Sequence, residues 1–310
     1  MRPDANTYRI SKDELSKLNI PYASNMVIVH VPHQNINTRT KSGVYVVGDH
    51  DFNVHHHLER WGYVYECASS FEYEDFRGIV SWDTDIECEV GDKVWFDFRA
   101  ALHAYTFIVD DEWYKVLDYS QLYVAKRGED IIPLNGYVLL SDYIPETTSS
   151  ILISSKPDDR FAVVEYCGSK NKRYQIKYFS DDIDINPGDH IMFEQGTTAY
   201  WMEDELHMSF DKKVRLQQRK RILGTIDEEH ENLITLRGGV IGVKPRDAKM
   251  NVGGIDLIRP QARQRIGDVV HSTHDKITEG SIVVVPKQKG TEFKGIEYYT
   301  EERIFYYETT

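Results

Sequence analysis

The chain lacks most of what would mark it as an enzyme, a membrane protein or a disulfide scaffold. Only three of its 310 residues are cysteine, Cys67, Cys88 and Cys167. An odd, sparse set without metal-ligand spacing predicts reduced, partly buried thiols of a cytosolic protein. No apolar run approaches the roughly 18 residues that a bilayer-spanning helix needs, so no membrane segment is expected. Positive charge is in deficit, with 37 Lys and Arg against 50 Asp and Glu and a formal net charge of −13. A phosphate backbone needs a basic footprint to release its counterions, which argues against nucleic acid as a partner. Helical periodicity is almost absent after residue 20, so a βαβ architecture is not expected. There is no Gly-x-Gly-x-x-Gly, phosphate loop or Gly-x-Ser-x-Gly elbow, so no cofactor is expected and the chain is read as not an enzyme. Met1 to Ala5 carry neither an apolar stretch nor a small-residue cleavage site, and no secretory leader is predicted.

What is present is tyrosine and a repeat. Twenty tyrosines, many paired or alternating as in Tyr63-Val64-Tyr65, favour strands and suit contact surfaces, because the ring is apolar and its tip polar. A Gly-Asp or Gly-Ser turn feeding an apolar strand recurs three times, at Gly91-Asp92-Lys93-Val94-Trp95-Phe96, Gly188-Asp189-His190-Ile191-Met192-Phe193 and Gly280-Ser281-Ile282-Val283-Val284-Val285. Spacing of about a hundred residues makes each copy a domain rather than a solenoid turn. The expected organisation is an N-terminal arm over 1–25 and three β domains over 26–128, 129–223 and 224–310. Within the arm, Ser11 and Glu14 form a capping box on a short helix.

Short strands at close spacing follow from Asn25 onward, as in a barrel or sandwich. They are expected at Met26–Pro32, Trp61–Cys67, Ile79–Trp82, Lys93–Phe98, Ala104–Val109, Trp113–Val116 and Leu122–Ala125 in the first copy. Tyr137–Leu140, Phe161–Tyr166, Tyr174–Tyr178 and His190–Phe193 follow in the second. The third has Val240–Pro245, Asp268–His271, Ser281–Pro286, Glu297–Thr300 and Arg303–Tyr307.

The third copy resembles the GroES-type co-chaperonin (chaperonin-10) family. An opening strand, Val240-Ile241-Gly242-Val243-Lys244, precedes a loop with Gly253-Gly254-Ile255-Asp256-Leu257. Gly267-Asp268-Val269-Val270 and Gly280-Ser281-Ile282-Val283-Val284 come next, then a final strand pair over Ile296–Tyr307. The first two copies follow the same order more loosely. The resemblance implies an all-β fold of three tandem GroES-like barrels, and partner-binding loops at Val44, Tyr45 and Val46, at Ile151, Leu152 and Ile153, and at Ile255, Asp256 and Leu257. In that family an apolar loop tip docks in a groove of a large chaperonin ring. Burial of two or three side chains offsets the entropy lost on docking and keeps it reversible. Asp256 and Tyr45 depart from the small apolar residue the family has there. The alternative for all three runs is that they begin the next strand. The zinc-dependent alcohol dehydrogenases also use this barrel, but they need a dinucleotide-binding half that these residues lack.

Two further clusters stand out. Lys212, Lys213, Arg215, Arg219, Lys220 and Arg221 form a basic stretch that reads either as a partner-contact patch or as a strand whose charges pair with Asp227-Glu228-Glu229. His55-His56-His57 cannot all face one ion from an extended segment, and no metal is expected. The function expected is that of a non-enzymatic, co-chaperonin-like assembly protein whose loops contact a large ring or shell. The rival is a structural component of a phage virion, a capsid, connector or ring protein that keeps the barrel as scaffold. Either way it acts as a homo-oligomer or part of a larger shell, in the host cytoplasm or the virion.

Overall fold

A computed structural model of the chain describes residues 6–18, 25–32, 60–68, 70–75, 78–81, 84–143, 160–170, 183–194, 214–227, 233–246, 251–252, 255–256 and 264–308. The chain divides into two compact units, 1–137 and 138–310. Strands dominate both, and no helix among the described residues is long and apolar enough to cross a membrane.

In the first unit the elements are β1 (Thr7–Arg9), α1 (Lys12–Ser16), β2 (Met26–Val31), β3 (Trp61–Glu66), β4 (Glu72–Asp75), β5 (Gly78–Ser81), β6 (Lys93–Phe96), α2 (Phe98–His103), β7 (Tyr105–Val109), β8 (Glu112–Asp118), β9 (Leu122–Arg127) and β10 (Asp130–Pro133). All strands but β4 and β5 join one sheet, in the order β1-β7-β8-β2-β3-β6-β9-β10. The arm is part of this unit, since β1 pairs in parallel with β7 and Leu15 of α1 is buried. Ser11 and Glu14 cap α1 reciprocally, as the sequence predicts.

The second unit carries two six-stranded sheets. One is formed by β11 (Tyr137–Asp142), β12 (Phe161–Cys167), β13 (His190–Phe193), β14 (Val214–Gln218), β15 (Ile222–Ile226) and β16 (Leu233–Leu236), ordered β14-β11-β12-β13-β15-β16. After β17 (Val240–Pro245) comes a small hairpin, β18 (Asn251–Val252) and β19 (Ile255–Asp256). Then follow β20 (Gln264–Ser272), β21 (Ile282–Pro286), β22 (Thr291–Phe293), β23 (Ile296–Thr300) and β24 (Tyr306–Glu308), in the sheet β22-β23-β17-β20-β21-β24. The first two sheets thus run through Pro133 and Leu236, past the sequence boundaries at 128/129 and 223/224.

One five-strand module underlies all three sheets. Its orders are β8-β2-β3-β6-β9, β14-β11-β12-β13-β15 and β23-β17-β20-β21-β24. In each, the fourth and fifth strands in sequence lie on opposite sides of the module and are joined by a 3-10 turn, at Tyr119–Gln121, Arg219–Arg221 and Glu301–Arg303. The second strand of each module has a bulge at one equivalent point, where Tyr65, Glu165 and Val270 are the extra residues opposite the steps Ile28 to Val29, Leu139 to Leu140 and Gly242 to Val243 of the first strand. Bulges raise local twist and curl the sheet. Three barrels were expected, but among the described residues no sheet closes into one. Closure needs the two end strands to pair, and here the chain itself links the module's ends through the 3-10 turn.

The Gly-Asp phrase has a single geometry in all three places. Gly91, Gly188 and Gly280 have φ of 95°, 94° and 87°, a region L side chains rarely adopt. The amides of Gly91, Gly188 and Gly280 donate to the carbonyls of Val64, Val164 and Val269, each at 2.8 Å. Those valines donate back to Asp92, Asp189 and Ser281 at 2.9, 3.0 and 2.9 Å. Asp is favoured next because its carboxylate accepts the amide three residues earlier, Glu89 to Asp92 at 2.8 Å and Asn186 to Asp189 at 2.7 Å. The phrase anchors the entry to the third strand of each module.

Inward-facing apolar residues form each core. The first includes Val27, Val29, Val64, Val94, Phe96 and Leu117. In the second unit, Phe161, Met192 and Leu223 of one sheet pack with Val240, Phe293 and Tyr298 of the other. Thr300 Oγ1 donates to buried Glu194 at 2.9 Å, and Arg221 holds the other carboxylate oxygen at 2.7 Å.

Candidate interaction face

The first unit presents an aromatic outer face, because strand alternation sends one set of residues to the core and the other outward. Val27, Val29 and Val31 of β2 point in. The register then places His30 beside Tyr114, Tyr114 beside Phe107, and Phe107 beside Tyr8 on the opposite face. On β3, Trp61, Tyr63 and Tyr65 alternate with buried Gly62 and Val64. The rings touch across the sheet, Tyr65 to Tyr114 at 4.9 Å, His30 to Tyr114 at 5.1 Å, Trp61 to Tyr63 at 5.8 Å and Tyr8 to Phe107 at 5.9 Å between centroids. Tyr63 is 42% exposed and Tyr105 55%.

Charges are placed around this face. His30 Nε2 lies 2.8 Å from a Glu112 carboxylate oxygen. Lys93 Nζ sits 4.1 Å from the Trp61 ring centre and 4.9 Å from that of Trp95. Burial of Lys93, and then the nearby Lys126, lower its pKa. Burial chiefly raises that of Tyr114, with Tyr65 adding to it. The polar-tipped aromatic rows have the composition of a protein-contact surface. At the α2 end an open cleft of about 400 Å³ is lined by Met26, Asp97, His103, Tyr105, Val116 and Asp118 among others. The Asp118 carboxylate already accepts from the amide and hydroxyl of Ser120, at 2.8 and 2.6 Å. Among the described residues no group of three His, Cys, Asp or Glu is arranged to hold a metal ion.

Most of the loop residues expected from the resemblance, namely Val44, Tyr45, Val46, Ile151, Leu152, Ile153 and Leu257, lie outside the described residues, as do His55 to His57. The backbone of Ile255 and Asp256 is described. It pairs with Val252 and Asn251 as the return strand of a small hairpin.

The basic stretch divides. Lys212 and Lys213 lie outside the described residues. Arg215 is 7% exposed, with Nε 2.9 Å from Asp142. Arg219 is 2% exposed and donates to the carbonyls of Gly168 and Ile183 at 3.1 and 2.9 Å. Arg221 holds Glu194. These three guanidinium groups are engaged within the second unit. Lys220 is half-buried beside them in the 3-10 turn.

Sequence reading missed the aromatic face as a unit, although the alternation Trp61-Gly62-Tyr63-Val64-Tyr65 carried the signal. It missed α2, which is too short for periodicity to reveal. Compared with known proteins, the chain matches no family model and no curated sequence.

Proposed function

We propose that this is a non-enzymatic assembly protein built of three GroES-like modules, each a curled barrel-type sheet, that contacts a larger ring or shell. The observation that carries the reading is the recurrence of one strand order, one bulge and one Gly-turn geometry in three places, the mark of a reused scaffold. The resemblance of the third module supports the co-chaperonin form, because the Ile255 hairpin falls between its first and second strands, where that family keeps its docking loop. Replacing Ile255 and Leu257 together with Ser is expected to abolish co-sedimentation with a chaperonin ring and leave the protein's own mass in mass photometry unchanged. Retained binding by this variant, or none by the wild type, refutes the co-chaperonin form.

The aromatic face favours a second reading, a structural component of a phage particle, in which permanent contacts cover Tyr63 and Tyr105. Tyr63→Lys is then expected to weaken self-association or particle incorporation by roughly thirtyfold, the effect of a hot-spot loss of about 2 kcal/mol. Sedimentation velocity over a concentration series reads this directly, and an unchanged profile removes Tyr63 from any interface.

A further inference from the structure

The three modules share a thiol position that only the first completes. At the end of the second strand, Cys67, Cys167 and Ser272 occupy equivalent places, and each donates to a carbonyl on the segment leading to the Gly turn. The acceptors are Cys88 (3.8 Å), Ile185 (3.6 Å) and Ile277. In the second and third modules the acceptor is a buried isoleucine; in the first it is a second cysteine. The Val64 amide donates to the Asp92 carbonyl and the Gly91 amide to the Val64 carbonyl, which holds the segment before the turn beside the end of β3, where the Cys67 thiol reaches the Cys88 carbonyl. Each thiol is the leading influence on the titration of the other.

We propose that Cys67 and Cys88 are a dithiol modification site that closes to a reversible intramolecular disulfide when the protein meets a small disulfide oxidant such as oxidised glutathione. Cys67 is half-buried and Cys88 buried, so the reaction enters at Cys67. Its thiolate attacks one sulfur of oxidised glutathione, forms a mixed disulfide and expels one glutathione thiolate, which takes up a proton. Cys88 then loses its proton, attacks the Cys67 sulfur and expels the second glutathione. Two protein thiols are oxidised and one glutathione disulfide is reduced to two thiols. The assignment of roles agrees with the titration of the pair. The neighbouring Cys88 thiol holds the Cys67 pKa below its ordinary value against the effect of burial. The Cys67 thiol, together with burial, pushes Cys88 up. A lower pKa makes Cys67 the thiolate available for attack. The crosslink ties the base of the segment that carries β4 and β5, and chain-entropy arguments give such a bond a stabilising effect. Cys167, facing Ile185, has no such partner.

The test is to incubate the full chain with oxidised glutathione, block free thiols with N-ethylmaleimide and map peptides by mass. A linked Cys67–Cys88 pair lacking two hydrogen atoms is expected, with a Tm several degrees higher that dithiothreitol returns to the starting value. Cys88→Ile, which installs the residue of the other two modules, should fold and retain glutathione on Cys67. Stable glutathione on wild-type Cys67 with Cys88 free overturns the proposal, as do three free thiols. A Cys88→Ile protein that takes up no glutathione at Cys67 overturns entry through that thiol.

Discussion

Arg265→Met should cost the third module about 3–5 kcal/mol, the usual loss when one partner of a buried ion pair is removed. Glu297, 3% exposed, lies on β23, and Arg265 reaches it with two nitrogens at 2.9 and 2.5 Å. Arg265 also donates to the Tyr299 hydroxyl at 2.7 Å, which itself donates to the Glu297 carboxylate. Without the guanidinium, a carboxylate stays buried with only a phenol and the Gly290 amide to replace its water. Urea unfolding at pH 7 should register the loss. Arg265→Met/Glu297→Leu should recover most of it, since an apolar pair of similar volume replaces a buried salt bridge at little cost. A single variant as stable as the wild type would show that the pair contributes nothing.

The same network predicts a pH dependence. Burial alone would raise the Glu297 pKa, but the hydrogen bonds from Arg265 and Tyr299 outweigh it and hold the value below the ordinary one. A depressed carboxylate adds stability that is fully present above its unfolded value of about 4.3 and is lost as pH falls through the folded one. Wild-type stability should therefore fall on acidification below about pH 4.3. Arg265→Met should lose less there, because its carboxylate is already costly to ionise. Parallel acid dependence of the two proteins would place the acid-sensitive group elsewhere.

Gly267→Ala is expected to destabilise by about 1–3 kcal/mol through overpacking. A Cβ at this position would lie 2.3 Å from Val243 Cγ1 and 2.9 Å from the Lys244 carbonyl oxygen. The first module repeats the arrangement, with Gly62 2.5 Å from Val29 Cγ1 and 2.6 Å from the His30 oxygen. Ala162 stands at the equivalent place in the second module, where the register puts Leu140 in the position of Val29 and Val243. Leucine does not branch at Cβ, so it has no counterpart of the valine Cγ1 beside the alanine methyl. Val243→Leu should therefore recover part of the loss in the Gly267→Ala background, while costing stability on its own. Additive single and double variants in a thermal-unfolding cycle would exclude this coupling.

The Gly-Asp turns were legible because a positive φ demands glycine and the following Asp answers an amide three residues away, both local requirements. Ser11 and Glu14 were legible for the same reason. Strands such as β2, β3, β6, β12 and β21 were legible from β-branched and aromatic runs. β15 and β16 were not, and the stretch that holds β14, read as a contact patch or as a strand paired with Asp227-Glu228-Glu229, gave no sign that Arg215 reaches Asp142 and Arg219 the Gly168 and Ile183 carbonyls.

By itself, then, the sequence determined that the chain is β-rich and that one turn-and-strand phrase marks three copies, since short-range backbone geometry decides both. Tertiary structure alone decided how each phrase is used. Strand order, the joining of module ends through a 3-10 turn, the pairing of Cys67 with Cys88 and the aromatic face depend on which distant segments lie side by side, and residue type and spacing do not encode that.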